Sequence, residues 1–433
     1  MSELNWDLYT QLLKDYDISL SREGIDGNRM ARRLHAISEI GLTPDGGSRR
    51  LGFSKEEKQA KELVKGWMVE AGLSITEDGA GNVFARLAGK NPEIPAISSG
   101  SHLDSVPNGG HFDGPLGVLS ALEIVESWKV QGFQPQQSYE VVIFSDEEGA
   151  RFNSGLTGSR AMAGEIDEEI QSGLVDQNGD SFDTVLNDVG LSSQGFFNAQ
   201  RNLEEIAHYV EVHIEQGKIL EQDDLPTGIV SGIAGPSWLE VTFEGNAGHA
   251  GNTPMQGRVD PLVTAGKFVS NIHNIPSQVS STAVATVGKL NVYPNGANVI
   301  PGTVNLIVDI RDIYEETRDK LVDLIIDEAN KVAEEFGTRC NYKQVLRVAP
   351  VPIPTDVTNI MSESLKRNGI EPRMLPSGAG HDALIVGHHL PVSMLFVQSK
   401  DGISHTPEEW SSLNDCVQTV HVLKDFIETI IEK

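Results

Sequence analysis

Four compact apolar runs in this chain break off into polar, glycine-punctuated segments carrying histidine or carboxylate. PAISSGS runs into HLDSVPNGGHFDGPLG, YEVVIF into SDEEGARF, YVEVHI into EQG, and LPVSMLFVQ into SKDGISHTPEE. Short apolar runs bounded in this way read as buried strands, and the ligand sites of open α/β sheets lie outside the carboxyl ends of such strands. Side chains there can converge without filling the core. Helical patterns alternate with the runs as an α/β domain requires: SKEEKQAKELVKGWMVEAGL spaces Ala60, Leu63, Val64, Trp67, Met68 and Ala71 at threes and fours and ends near Gly72, and LGVLSALEIVESWK is a helix following the first loop.

At 433 residues the chain exceeds what one hydrophobic core usually supports, so two domains, or one domain with a large insertion, are expected. From about Asp223 to Phe336 the pattern changes to a strand (WLEVTFEG), a helix (RVDPLVTAGKFVSNIH), two strands (TAVATVGKL, GTVNLIVDIRD) and a long helix (EETRDKLVDLIIDEANKVAEEF). That is a self-contained α+β unit, placed at 223–336 between the two parts of the first domain, 1–222 and 337–433. The stretch DQNGDSFDTVLNDVGLSSQGFFNAQ reads as a surface excursion. A formal charge of -28 repels phosphate backbones and anionic membranes, so neither nucleic acid nor a membrane is expected as a partner. Only Cys340 and Cys416 are present, which makes neither a disulfide framework nor a thiolate zinc site and suits a reducing cytoplasm. The first residues carry acids where a secretory signal has a basic start, and no apolar stretch reaches the roughly 18 residues of a membrane span, so a soluble cytoplasmic protein is expected.

The strand ends carry His102 to Asp113, Glu147 with Glu148, His213 and His405. Alternation in YVEVHIE puts Val210, Val212 and Ile214 on one face and Tyr209, Glu211, His213 and Glu215 on the other. Any one of these residues alone is most simply a solvated or satisfied polar group. Together, three histidines and two or three carboxylates without sulfur form a ligand set for borderline divalent ions such as zinc. A carboxylate in the middle of the set can bridge two ions roughly 3.5–4 Å apart, which an imidazole cannot do. Of two adjacent acids such as Glu147 and Glu148, one can take an ion while the other holds a proton, although an acidic turn is the plainer reading of DEE. Asp104 is placed either to orient His102 through its second nitrogen or to cap the loop.

These segments, with GSRAMAG, HAGNTPM, RVDP, NVIPG, DIRD, PSGAGHDA and SKDGISHTPEEWS, resemble the di-metal aminoacylase and carboxypeptidase clan over nearly the full chain. Within the clan they are most similar to the N-carbamoyl-L-amino acid hydrolase and allantoate amidohydrolase group. The resemblance implies an α/β metallopeptidase-like catalytic domain with an inserted α+β dimerisation or lid domain, acting as a homodimer. It implies two divalent ions per subunit, zinc first and manganese, cobalt or nickel after it. His102, Asp113 and His213 would hold one ion, and Asp113, Glu148 and His405 the other, with Asp113 as the bridge and Glu147 as general base. His111 is then not a ligand. His249 would stabilise the oxyanion, Asn298 hold the substrate and Arg311 grip its α-carboxylate, with Gln216 and the loop Gly378, Ala379, Gly380, His381 completing the pocket. The implied reaction is hydrolysis of the ureido C–N bond of N-carbamoyl-L-amino acids to L-amino acid, ammonia and carbon dioxide, with allantoate, or an aminoacylase or dipeptidase substrate, as the alternatives.

Read from the residues alone, Arg311 is most simply a solvated arginine and His249 equally an exposed loop histidine. The resembled family commonly has a bulkier residue where Gly248 stands, which bears on the substrate. GAGHDA at Gly378 to Ala383 fits the G-x-G-x-x-A of dinucleotide folds but lacks the apolar strand that should precede it, and no G-x-S-x-G elbow is present.

Overall fold

The computed structural model describes residues 7–432, which form two compact units. The first comprises the chain up to Val230, Ile353–Leu375 and the chain from His381; the second is Ser231–Pro352 with Pro376–Gly380.

The first unit is built on a mixed sheet whose strands run in the order Ser74–Glu77, Val83–Leu87, Tyr139–Phe144, Ala96–His102, Ile206–Ile214, Val392–Val397 and Thr227–Ile233. Its middle is parallel: Ala96–His102 pairs in parallel with both Tyr139–Phe144 and Ile206–Ile214, and Ile206–Ile214 with Val392–Val397. These are the four runs that the sequence marks, and each is almost wholly buried, as parallel strands covered on both faces must be. Helix Pro115–Gln131 follows the first of them, with Pro115 at its first turn and Gly132 ending it in the left-handed region at φ 65°. Every residue from Pro115 to Val125 is buried, so the first three turns of this helix have no solvent face, and only its last turn, Lys129 to Gln131, is exposed. It packs on the strands Ala96–His102 and Ile206–Ile214 below, and on the helices Gly27–Ser38 and Leu413–Ile431.

The second unit is a four-stranded antiparallel sheet in the order Arg339–Arg347, Ser237–Glu244, Thr303–Arg311, Val284–Tyr293. Strands Ser237–Glu244 and Thr303–Arg311 alternate buried and half-exposed residues, turning Leu239, Val241, Phe243, Leu306, Val308 and Ile310 onto helices Pro261–Ile272 and Glu315–Phe336. The inserted α+β unit thus exists, but it spans 231–352 rather than 223–336. Two strands account for the difference. Thr227–Ile233 begins in the first unit's sheet, paired with Val392–Val397, and Arg339–Arg347 pairs antiparallel with Ser237–Glu244 to complete the inserted sheet.

Two other expectations change. The stretch 176–200 is not a surface excursion: its short helices Phe182–Asp188 and Ser193–Phe197 bury Phe182, Val185, Leu186 and Phe196 against Phe53 and Phe152 in a separate apolar cluster. Phe182 and Phe196 meet edge to face at 4.9 Å between ring centres. A strand, Met374–Ser377, does precede GAGHDA, but the helix after it, Asp382–Val386, has five residues and makes no dinucleotide fold. Among the described residues no helix is long and apolar enough to cross a membrane.

Candidate metal centre

The parallel register brings the polar strand ends to one level. His102 lies opposite Phe144, the last residue before Ser145, and His213 lies opposite Phe396. Beyond the strands the chain turns through non-glycine residues in the left-handed region: Asp146 at φ 52°, Gln216 at φ 54° and His405 at φ 61°. Such residues persist where the surroundings hold them, and they gather at functional sites. Gly114, at φ 80°, lies so close to His102 that a Cβ there would stand 2.5 Å from its Cε1, so the chain that delivers Asp113 can pass the imidazole only as glycine.

Five side chains meet in two overlapping groups. Donor atoms of His102, Asp113 and His213 all lie within 4.8 Å of one another, as do those of Asp113, Glu148 and His405. Asp113 belongs to both: its Oδ1 is 3.1 Å from Nε2 of His213 and 3.5 Å from Nε2 of His102, and its Oδ2 is 3.5 Å from Nε2 of His405. Glu148 Oε2 stands 3.4 Å from that same His405 nitrogen.

The donor set fits a pair of divalent cations. Nδ1 of His102 donates to the carbonyl of Asp104 at 3.1 Å, and Nδ1 of His213 to the carbonyl of Ile214 at 3.0 Å, so in both neutral rings the Nε2 lone pair faces Asp113. Lone pairs aimed at a carboxylate need positive charge between them, and Nε2 of His102 is buried with no hydrogen-bond partner. The ionisation of the cluster says the same. Burial opposes charge on His102, yet Glu147, Asp104 and Asp113 outweigh it and raise its pKa well above the usual imidazole value. Burial pushes Asp113 up, but His213, His102 and His405 hold it well below the usual carboxylate range. Glu148 is pushed up to about 8 by burial and by Asp113. Glu147 is driven well up by burial, which His102 only partly offsets, and by Glu148, Asp382 and Asp113. Two neighbouring acids whose charged forms are disfavoured mark a shortage of positive charge that divalent cations would supply.

Glu147 belongs to neither group. Its Oε2 lies 3.7 Å from Nε2 of His102, and the residue is 9% exposed. Asp104 works differently from the first of its two expected roles: its carboxylate is 3.5 Å from Nδ1 of His102, which bonds to the backbone carbonyl instead, and its two oxygens accept the N–H groups of Glu147 and Glu148, each at 3.1 Å. It therefore sets the direction of both glutamates. His111 turns Nε2 to the carbonyl of Gly46 at 3.0 Å. Gln216 donates to Asp113 Oδ2 at 2.8 Å, and the His381 ring packs on His213 with centres 4.3 Å apart.

The remaining candidates, His249, Asn298, Arg311, Gly378, Ala379 and Gly380, belong to the inserted unit. There His249 and Asn298 flank a two-stranded ribbon in which His249 pairs with Val299. Nδ1 of His249 accepts the N–H groups of Gly251 and Asn252, both at 3.1 Å, so the neutral ring carries its proton on Nε2, and the residue is exposed. Arg311 is held by Asp309 through Nε at 2.8 Å and Nη2 at 2.9 Å, and gives Nη1 to the carbonyl of Gly378 at 2.8 Å. Sequence reasoning passes over Ser404 and Glu409, which lie beside Asp113 and His405; the available signal was a second adjacent glutamate pair, Glu408–Glu409, just past the fourth strand end.

Two His-and-carboxylate groups sharing one aspartate, with a separate buried acid beside them and an inserted α+β unit, define a hydrolase of the dinuclear metal-dependent class. Residues 99–429 match Peptidase family M20/M25/M40. The N-carbamoyl-L-amino acid amidohydrolase of Geobacillus stearothermophilus is 43% identical over 92% of this chain and 97% of its own. The allantoate amidohydrolase of Bacillus subtilis is 34% identical over 92% and 97%. Among solved structures, an amidase of the hydantoinase/carbamoylase family from Burkholderia multivorans superposes with a TM-score of 0.86 at 34% identity, covering 94% of this chain and 98% of that one. The chain belongs to the M20 family, in its hydantoinase/carbamoylase group.

Proposed function

We propose that the protein hydrolyses N-carbamoyl-L-amino acids, cleaving the bond between the ureido carbon and the amino-acid nitrogen to give the L-amino acid, ammonia and carbon dioxide. The observation that carries this reading is the convergence of three Nε2 atoms and Glu148 on or beside Asp113, with Glu147 standing outside both groups. His102, Asp113 and His213 would hold one divalent ion and Asp113, Glu148 and His405 the second, with zinc the first choice for a nitrogen and oxygen set and manganese, cobalt or nickel able to replace it. Such ions, when bound, make water acidic and polarise a carbonyl oxygen.

The chain's own residues do the rest. Glu147, buried and aimed by Asp104, accepts the proton of the attacking water and returns it to the departing nitrogen. His249 offers an Nε2–H to the oxygen on which negative charge develops, Asn298 holds the substrate, and Arg311 binds the α-carboxylate. Gln216 and the segment Gly378, Ala379, Gly380 and His381 border the substrate. The inserted unit serves as dimerisation surface and lid; its exposed Leu290, Tyr293, Tyr342 and Val345 suit burial against a second copy. Two free thiols, Cys340 and Cys416, suit a reducing cytoplasm.

Allantoate, also a ureido carboxylate, is the second reading, favoured by the likeness to the Bacillus subtilis enzyme. Rates on N-carbamoyl-L-methionine, allantoate and an N-acetyl amino acid, measured on zinc- or manganese-loaded protein, separate the readings. Dominant turnover of the first supports the proposal, and dominance of either other substrate replaces it. Glu147→Gln should abolish turnover while the protein keeps its metal; full activity in that variant refutes Glu147 as base.

A further inference from the structure

Glu409 follows an exposed glutamate, Glu408, in a segment that reads as a solvated turn, yet it is only 3% exposed. All of its hydrogen bonds run to the two segments that deliver Asp113 and His405. Oε1 accepts the N–H groups of Phe112 at 2.9 Å and Asp113 at 3.0 Å. Oε2 accepts the hydroxyl of Ser404 at 3.0 Å and the N–H of His405 at 3.4 Å. The Ser404 Oγ also lies 2.9 Å from Asp113 Oδ2, so its single proton is shared between the two acids.

Two further observations show that the surroundings are shaped around this carboxylate. Gly110 passes so close that a Cβ there would stand 2.2 Å from Oε1 of Glu409, which leaves glycine as the one residue that fits. The ring of Trp410, the next residue, meets Phe112 edge to face with centres 5.6 Å apart, so the same two segments are also joined by packing. His405 meanwhile holds a left-handed backbone at φ 61°, which a non-glycine residue keeps only where its neighbours fix it.

We propose that Glu409 is a positioning residue: a carboxylate staple that is not itself a ligand, and that locks the Asp113 loop to the His405 loop so that both face the second ion. Its oxygens are committed to N–H and O–H donors, and it stands in neither of the groups able to hold a cation. The inference rests on the two-ion reading of the site. It also says which ion depends on the leg to Ser404 and His405: His405 belongs only to the group with Asp113 and Glu148, so loosening that leg while the leg to Phe112 and Asp113 stays made loosens that ion and spares the one held by His102 and His213.

The test is calorimetric titration of the metal-free full chain with zinc against a competing chelator. Wild-type protein should take two ions per chain. In Glu409→Gln the side-chain oxygen still accepts from Phe112 and Asp113, but the amide NH2 now faces the donors of Ser404 and His405. One zinc event should therefore weaken by about 10- to 100-fold, the range typical of lost partners behind metal ligands, while the other stays within about threefold. Glu408→Gln should match wild type. Two unchanged events in Glu409→Gln overturn the inference alone, as does equal weakening of both events. Fewer than two ions in wild type overturns the two-ion reading and the inference with it. Should Glu409→Gln fail to fold, Ser404→Ala breaks one leg of the staple with a milder change: selective weakening of one zinc event supports the inference, and two unchanged events overturn it.

Discussion

The grip proposed for Arg311 on a substrate carboxylate has a size that can be worked out beforehand. Its guanidinium has five N–H donors, of which Asp309 takes two and the Gly378 carbonyl one. Asp309 is itself held by the indole N–H of Trp238 at 3.0 Å. One hydrogen on each of Nη1 and Nη2 remains, the pair that a carboxylate can accept side by side. A hydrogen bond to a charged group contributes about 1.5–3 kcal/mol, and 1.36 kcal/mol is a tenfold change, so Arg311→Lys, which exchanges the fork for a point charge, should cost about 10- to 100-fold in kcat/KM. The contact is made in ground and transition states alike, so the loss should appear mainly in KM. Asp309→Asn should cost less, about two- to fivefold, because Arg311 and Asp309 are 30% and 25% exposed and such a pair contributes at most about 1 kcal/mol. The assay is steady-state kinetics on an N-carbamoyl-L-amino acid and on its carboxamide, which has no carboxylate to bind. Wild type should prefer the acid strongly, and Arg311→Lys should compress that preference. An acid-to-amide ratio unchanged in Arg311→Lys would refute the assignment, whatever happened to the absolute rates.

Other outcomes follow from the same geometry. Asp104→Asn leaves one of the Glu147 and Glu148 N–H groups facing an NH2, so it should lower stability by about 1–3 kcal/mol in urea unfolding and reduce kcat with little change in KM. Phe182→Ala empties the centre of the separate aromatic cluster and should destabilise by about 3–5 kcal/mol, seen as a lower urea midpoint with the zinc stoichiometry of the folded protein intact. His208, buried at Nε2 beside the Ser393 hydroxyl at 2.9 Å, has its pKa lowered to about 4, chiefly by burial. The unfolded chain, with an ordinary imidazole near pH 6.5, binds more protons between pH 6.5 and 4, so stability must fall as pH drops through that window, by about 2 kcal/mol at pH 5 relative to pH 8. His208→Leu should remove that part of the slope in urea midpoints taken at the two pH values. Chelation should abolish activity, and zinc, manganese or cobalt should restore it.

What could be read from the sequence, and what could not, divides along a physical line. His102, Asp113, Glu148, His213 and His405 were visible because each follows an apolar run, and apolar runs that form parallel neighbours present their carboxyl ends along one edge. Their proximity needed no long-range knowledge beyond the pattern of the sheet. The aromatic cluster was hidden because its helices are five and seven residues long, too short for periodicity to show, and because Phe182 and Phe196 are buried by Phe53 and Phe152 from elsewhere in the chain. Strand Arg339–Arg347 was missed because it is exposed or half-exposed along its whole length and so carries no alternation; only its pairing with Ser237–Glu244 assigns it to the inserted sheet.

Glu409 shows the limit most sharply. Its partner N–H groups on Phe112 and Asp113 lie 297 and 296 positions away, and a glutamate after PE has every local mark of a solvated turn. The glycines of NGGHFD, by contrast, announce a tight loop without saying what crowds it. Gly110 is required by the carboxylate of Glu409 and Gly114 by the ring of His102. A ligand residue can therefore be found from its own neighbourhood, whereas a residue that holds ligands in place is defined by two neighbourhoods at once. Such residues become visible only when the fold has brought those neighbourhoods together, and beyond a local pattern that also fits a solvated turn, the small residues that make room for them are the trace they leave in the sequence.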